Sequence, residues 1–113
     1  MERWFAPAFR VTPDLALWRN MLIRTSAEGY IAACTALSPA DWTEATAVLR
    51  LPALVIARDA DGASPAELVK ATADLIPGAA FHVIPGTGHL PCVENLAAYA
   101  AILSPFLKAH AHD

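Results

Sequence analysis

Leu54-Val55-Ile56-Ala57-Arg58-Asp59-Ala60-Asp61 is the stretch that decides the fold. Ala53 to Ala57 is apolar at every position, the pattern of a strand covered on both faces, and it runs into an acidic turn. Ser64-Pro65-Ala66-Glu67 then opens a helix with a capping-box pattern. Leu68, Ala71, Leu75 and Ile76 give that helix one apolar side, and Pro77-Gly78 stops it. Ala80-Phe81-His82-Val83-Ile84 reads as a second strand, followed by the loop Pro85-Gly86-Thr87-Gly88. A last helix is expected from about Val93 to Lys108, carrying Leu96, Tyr99, Ile102, Leu103, Phe106 and Leu107. Pro105 should kink or fray it near its end. A strand–helix–strand crossover makes the two strands parallel, so the class is α/β.

In an open parallel sheet, functional groups gather at the carboxyl ends of the strands. Asp61 lies just past the first strand and His89 just past the second, so both are expected at one edge. An ionised Asp61 can accept the Nδ1 proton of His89, which leaves Nε2 free to take a proton from a nucleophile. Acid then histidine is also the chain order of the last two members of a Ser…Asp…His triad. Gly86 and Gly88 allow the backbone angles that aiming a histidine requires. Taken singly, Asp61 reads as a turn former and His89 as a solvated loop residue. The matched strand ends and the glycine loop favour the pair. Asp59 is the rival acid, and His82 in mid-strand is expected to be packed or edge-facing. No Gly-x-Ser-x-Gly elbow occurs in these residues, and neither Cys34 nor Cys92 stands in a Gly-x-Cys-x-Gly substitute.

Residues 1–50 read as a helical, cap-like segment and residues 51–113 as the β-α-β-α segment. Thr12-Pro13-Asp14 is a helix start signal, with Thr12 as N-cap. Leu15, Trp18 and Leu22 follow at helical spacing. Ser26 can cap a second helix carrying Tyr30, Ile31, Cys34 and Leu37. Ser38-Pro39-Ala40-Asp41 repeats the start signal, and Trp42, Ala45 and Leu49 are expected to face inward. Cys34 reads as a small core residue, and Cys92, after the histidine loop, as a thiol with some scope for reactivity. The tail His110-Ala111-His112-Asp113 reads as a disordered end, where two histidines could at most bind adventitious metal.

The chain has 113 residues, the size of one domain, yet 56% are apolar and only 17% charged. So small a body cannot hide that much apolar surface. Two parallel strands cannot bury such faces alone, so further strands or another subunit are expected to cover them. A net charge of −3 without a basic patch argues against nucleic acid. No apolar run is long enough to span a membrane. The start Met1-Glu2-Arg3-Trp4 lacks a signal-peptide pattern, and the two separated cysteines read as reduced thiols. A cytoplasmic setting is the expectation.

At these residues the chain resembles the C-terminal part of an α/β-hydrolase, and among those the 3-oxoadipate enol-lactonases. Glu2-Arg3-Trp4-Phe5, with Pro7 and Phe9, is similar to that family's cap pattern. Glu28-Gly29-Tyr30 with Cys34 is similar to its cap helix. Leu54-Val55-Ile56-Ala57, Asp61 and Ser64-Pro65 resemble its acid loop, and Gly88-His89-Leu90-Pro91 with Val93-Glu94 its histidine loop. The departures are Arg58, where the family has glycine, Ala60 before the acid, and Asn95-Leu96 in place of Gln-Pro. The resemblance implies hydrolysis of a lactone or ester through a serine nucleophile, without metal or organic cofactor. It implies Asp61 and His89 as catalytic residues and Trp4 and Tyr30 on the substrate side. Trp18 and Trp42 read equally well as ordinary core aromatics. The serine would have to come from an N-terminal hydrolase half. The alternatives are a non-catalytic chain that self-associates, or a small-ligand binding module built on the aromatic cap.

Overall fold

A computed structural model describes residues 1–110. Four helices come first: α1 (Pro7–Arg10), α2 (Leu15–Ile23), α3 (Ala27–Leu37) and α4 (Thr43–Ala47). Then follow β1 (Leu54–Arg58), α5 (Ala66–Leu75), β2 (Ala80–Ile84), α6 (Pro91–Glu94) and α7 (Leu96–His110). Strands β1 and β2 pair in parallel, with Leu54 opposite Ala80 and Arg58 opposite Ile84. Helix α5 packs on both strands and α7 on β2. Pleating assigns the two faces. Phe81 lies under Lys70 of α5, 5.7 Å from nitrogen to ring centroid, so Val55, Ala57 and Phe81 face α5. Leu54, Ile56 and Arg58 share a cleft with Tyr99, Leu103 and Phe106 of α7.

Several local expectations meet a different solution. Thr12 does not cap α2: its hydroxyl donates back to the Phe9 carbonyl at 2.8 Å, and α2 has no side-chain cap. Ser26 does cap α3, its Oγ accepting from the Gly29 amide at 3.3 Å. At the third start signal Asp41 accepts from the Thr43 amide at 2.9 Å. Side-chain and backbone bonds from Thr43 hold its carboxyl below the ordinary range. Ser64 makes no capping box, because its amide is turned onto Asp61 instead. On α5 the covered residues are Ala66, Val69, Ala73 and the expected Leu75, with Ile76 just past its end, whereas Leu68 and Ala71 are exposed. Both sets are apolar, so composition alone left the face undecided. Asn95 breaks the last helical stretch into α6 and α7, and its Oδ1 takes the Ala98 amide at 3.1 Å. Helix α7 continues through Pro105 to His110. His110 is therefore helical, and the rest of the expected tail, with His112, lies outside the described residues.

The fully buried set is small: Phe5, Ala6, Ala57, Ala73 and Ile84 among the apolar residues. Every residue of α3 is exposed, Cys34 included. Trp42 is 71% exposed and Ala45 is exposed, against the expected inward face. Only Leu49 of that set is partly covered. The helical periodicity is present, but among the described residues no layer lies opposite it. Trp18 does find a partner, packing at 6.5 Å from Phe5, which stacks on Phe9 at 5.1 Å.

What organises the centre is the N-terminal segment, which runs between the loops that follow β1 and β2. Gly62 donates its amide to the Arg3 carbonyl at 3.1 Å, and Arg3 Nε returns a bond to the Gly62 carbonyl at 3.0 Å. His89 donates its amide to the Trp4 carbonyl at 2.6 Å. Gly88 makes this approach possible, because a Cβ there would sit 2.5 Å from the Trp4 oxygen and 2.8 Å from the Ala6 nitrogen. Gly86 contributes differently, through a left-handed φ of 68° in open space. G88A should therefore cost about 3 kcal/mol, since backbone cannot step aside, and G86A about 1 kcal/mol. Urea midpoints of the two variants check the order; equal losses would contradict the close packing at Gly88.

Candidate functional site

Asp61 is the one acidic side chain in the buried set, with no accessible side-chain surface. A buried carboxylate needs donors, and four nitrogen-bearing groups converge on it. The amides of Ala63 and Ser64 donate to Oδ1 at 2.8 and 3.0 Å. The Arg58 guanidinium forms an ion pair with Oδ2. His89 Nδ1 lies 3.0 Å from Oδ2 and 3.2 Å from Oδ1. Burial pushes the Asp61 carboxyl up, but the Ser64 amide, His89, the Ala63 amide and Arg58 together outweigh it. The net result is a carboxyl held below its ordinary range, so the group is anionic near neutrality.

The two loops are tied to each other before the side chains meet. Ala60 donates its amide to the Thr87 carbonyl at 3.1 Å. The buried Thr87 hydroxyl donates to the Ile84 carbonyl at 2.9 Å. Asp59 accepts the Gly86 amide at 2.6 Å. The rival acid thus serves as a loop tie, and Asp61 is the carboxylate that meets the imidazole. His82 is exposed in mid-strand and stands apart from this cluster.

Glu94 locks the arrangement from the other side. Its Oε1 takes the Gly88 amide and its Oε2 the Ala6 amide, each at 3.0 Å. One carboxylate therefore joins the histidine loop, α6 and the N-terminal segment. The Trp4 ring stacks beside the His89 ring at 6.3 Å between centroids. Trp4 and Tyr30 both line a cleft of about 810 Å³ with Arg3, Leu22 and Ile31. His89, with a side chain 35% exposed, does not line that cleft but borders another of about 420 Å³, shared with Arg58, Leu90 and the exposed Cys92.

The parts named from sequence are thus brought together: Asp61 with His89, and Trp4 with Tyr30 across a cleft. Sequence reasoning gave no role to Arg58, Glu94 or Arg3. Arg58 carried a signal, a cation at the end of an otherwise apolar strand. Glu94 carried a weaker one, an acid just inside the first turn after His89. No group of three or more histidine, cysteine or carboxylate side chains fit to hold a metal occurs among the described residues. Among them there is also no helix long and apolar enough to cross a membrane.

A histidine backed by a buried acid at neighbouring strand tips invites comparison with known proteins. No family model matches the chain. Among curated proteins, 3-oxoadipate enol-lactonase 1 of Acinetobacter baylyi is 32% identical over 109 residues, covering 95% of this chain and 41% of that protein. The match falls in the C-terminal part of the lactonase. Among solved structures, a thermophilic esterase from Thermogutta terrifontis, with malate bound, superposes with a TM-score of 0.84 at 31% identity. A bromoperoxidase from Bacillus anthracis does so with 0.80 at 26%.

The chain has the fold of the C-terminal part of an α/β-hydrolase. The superpositions cover 95% of this chain but only 40% and 41% of those two structures, so the chain spans about two fifths of the relatives' length. Helices α2 and α3 present exposed apolar residues such as Leu17, Met21 and Ile31.

Two expectations follow from the site. E94Q should destabilise by about 2 kcal/mol, because an amide offers one acceptor where two N–H groups converge and turns its NH₂ against the other; thermal melts against wild type measure it. Because the Asp61 carboxyl is held low in the fold, its contribution to stability is complete above the unfolded carboxyl range. It is lost as pH falls below about 4. Urea midpoints between pH 6 and pH 3 should show that acid limb in the wild type and a shallower one in D61N; parallel limbs would contradict the assignment.

Proposed function

We propose that this chain supplies the acid and the base of a serine hydrolase that acts on a small lactone or ester, with Asp61 as acid and His89 as general base. The observation that carries it is the 3.0 Å approach of His89 Nδ1 to the buried Asp61 carboxylate. The 32% identity to an enol-lactonase and the 31% identity to an esterase support the substrate class. By that resemblance the preferred substrate is an enol-lactone of the 3-oxoadipate type, from aromatic catabolism, handled in the cytoplasm. The reaction draws on side chains alone, without metal or organic cofactor.

The chemistry needs a serine hydroxyl that reaches Nε2. His89 takes the hydroxyl proton as the oxygen attacks the lactone carbonyl, and Asp61 stabilises the imidazolium that forms. The proton then passes to the ring oxygen as the C–O bond breaks, leaving an acyl-serine. Water adds to the acyl carbon through the same base, and the serine is released with its proton restored. Trp4 and Tyr30 border the cleft in which the acyl portion lies. The nucleophile comes from a segment carrying a Gly-x-Ser-x-Gly elbow, which pairs along β1 and covers the apolar helices.

A second reading rests on the exposed apolar side chains of α2 to α4, such as Leu17, Ile31, Leu37 and Trp42. It is a non-catalytic chain that covers these faces against its own copy, or that binds a small ligand in the Trp4–Tyr30 cleft. The readings separate by experiment. The chain alone should hydrolyse p-nitrophenyl acetate or an enol-lactone no faster than H89A, since loss of a triad nucleophile costs about a millionfold. Adding the Ser-bearing N-terminal part of a lactonase should restore turnover. H89A should then abolish it, and D61N should lower it about ten-thousandfold. Failure to restore activity, together with a stable homo-oligomer on sizing chromatography, would favour the second reading.

A further inference from the structure

Arg58 stands inside the acid–histidine pair. Its Nη2 forms the ion pair with Asp61 Oδ2 and also lies 3.1 Å from His89 Nδ1. Its Nη1 donates to the Ile56 carbonyl at 3.1 Å, and its Nε is buried without a hydrogen-bond partner. The side chain is 12% exposed, so water offers it little compensation.

These contacts make incompatible demands on one atom. A guanidinium only donates, and it stays charged. Its approach to Nδ1 is a hydrogen bond only if Nδ1 keeps its lone pair, which puts the ring proton on Nε2. The approach of Asp61 to Nδ1 is a hydrogen bond only if Nδ1 carries the proton. Either tautomer sets like groups face to face: an unprotonated Nδ1 turns its lone pair to the Asp61 oxygens at 3.0 and 3.2 Å, and a protonated one faces the Arg58 N–H at 3.1 Å. Asp61 already accepts from the Ala63 amide, the Ser64 amide and Arg58, so its carboxylate keeps three donors without His89. With Nδ1 protonated, the second Nη2 proton of Arg58 would face another N–H in a buried site, beside an Nε that already lacks a partner.

We propose that Arg58 is a positioning residue that holds His89 in the Nε2–H tautomer, the form that cannot accept a proton at Nε2, and so acts as a brake on the histidine. The inference rests on the reading of Asp61 and His89 as an acid–histidine pair. Arg58 and His89 line the same cleft of about 420 Å³. A segment that packs there and offers the guanidinium a carbonyl or carboxylate frees Nδ1. Asp61 then becomes its acceptor, and Nε2 becomes the base.

The tautomer is directly readable. In the ¹⁵N-labelled full chain at alkaline pH, with the ring neutral, long-range ¹H–¹⁵N spectra report which ring nitrogen of His89 carries the proton; H89Q assigns the signals. The expected result is a proton on Nε2 in the wild type and a shift to Nδ1 in R58M and R58Q, with D61N abolishing that shift when combined with R58M. A wild-type ring already protonated on Nδ1 overturns the brake and leaves the acid–histidine pair standing. A shift in R58M that persists with D61N keeps the role of Arg58 and removes Asp61 as the acceptor. A ring unchanged in R58M and R58Q, with both folded by circular dichroism, overturns the brake as well. The wild-type measurement needs no substitution, so a variant that fails to fold still leaves the proposal exposed to refutation.

Discussion

The buried carboxylate of Asp61 is the constraint from which the rest of the site follows. An ion without solvent must collect donors or not be an ion. That demand turns the Ala63 and Ser64 amides inward, draws Arg58 across the end of β1 and brings the His89 ring to the neighbouring strand tip. It also explains why Ser64 forms no capping box: its amide is spent on Asp61 before α5 begins. A local rule of helix starts gives way to the larger cost of an unpaired charge.

A second carboxylate does comparable work for the backbone. Glu94 holds the Gly88 and Ala6 amides together, and the Trp4 carbonyl receives the His89 amide. The N-terminal segment is therefore part of the site although it is farthest from it in sequence. Its approach is close enough that only glycine fits at position 88. Trp4 reaches both the His89 ring and the larger cleft for the same reason.

Much of this architecture is legible before any coordinates. The unbroken apolar run to Ala57, the Pro77-Gly78 stop and the run at 80–84 gave two strands and a crossover helix. The parallel sense followed from the crossover, and with it the shared edge for Asp61 and His89. The less legible parts share one cause: they depend on what a face meets. Leu68 and Val69 are equally apolar, yet only the second lies against the sheet. Trp42 and Cys34 sit at sound helical positions but have nothing opposite them. Arg58 and Glu94 act through partners distant in the chain, which spacing does not reveal.

The sequence by itself determined the order of the elements, the sense of the two strands and the chemical identity of the pair at their tips, because periodicity, turn residues and crossover handedness are local properties. Only the tertiary structure showed that the rival acid, Asp59, ties the two loops instead. It alone placed a guanidinium between Asp61 and His89 and threaded the first six residues through the centre. Those outcomes turn on desolvation and on donor counting among groups far apart in the chain, and such accounts close only when the whole fold is assembled.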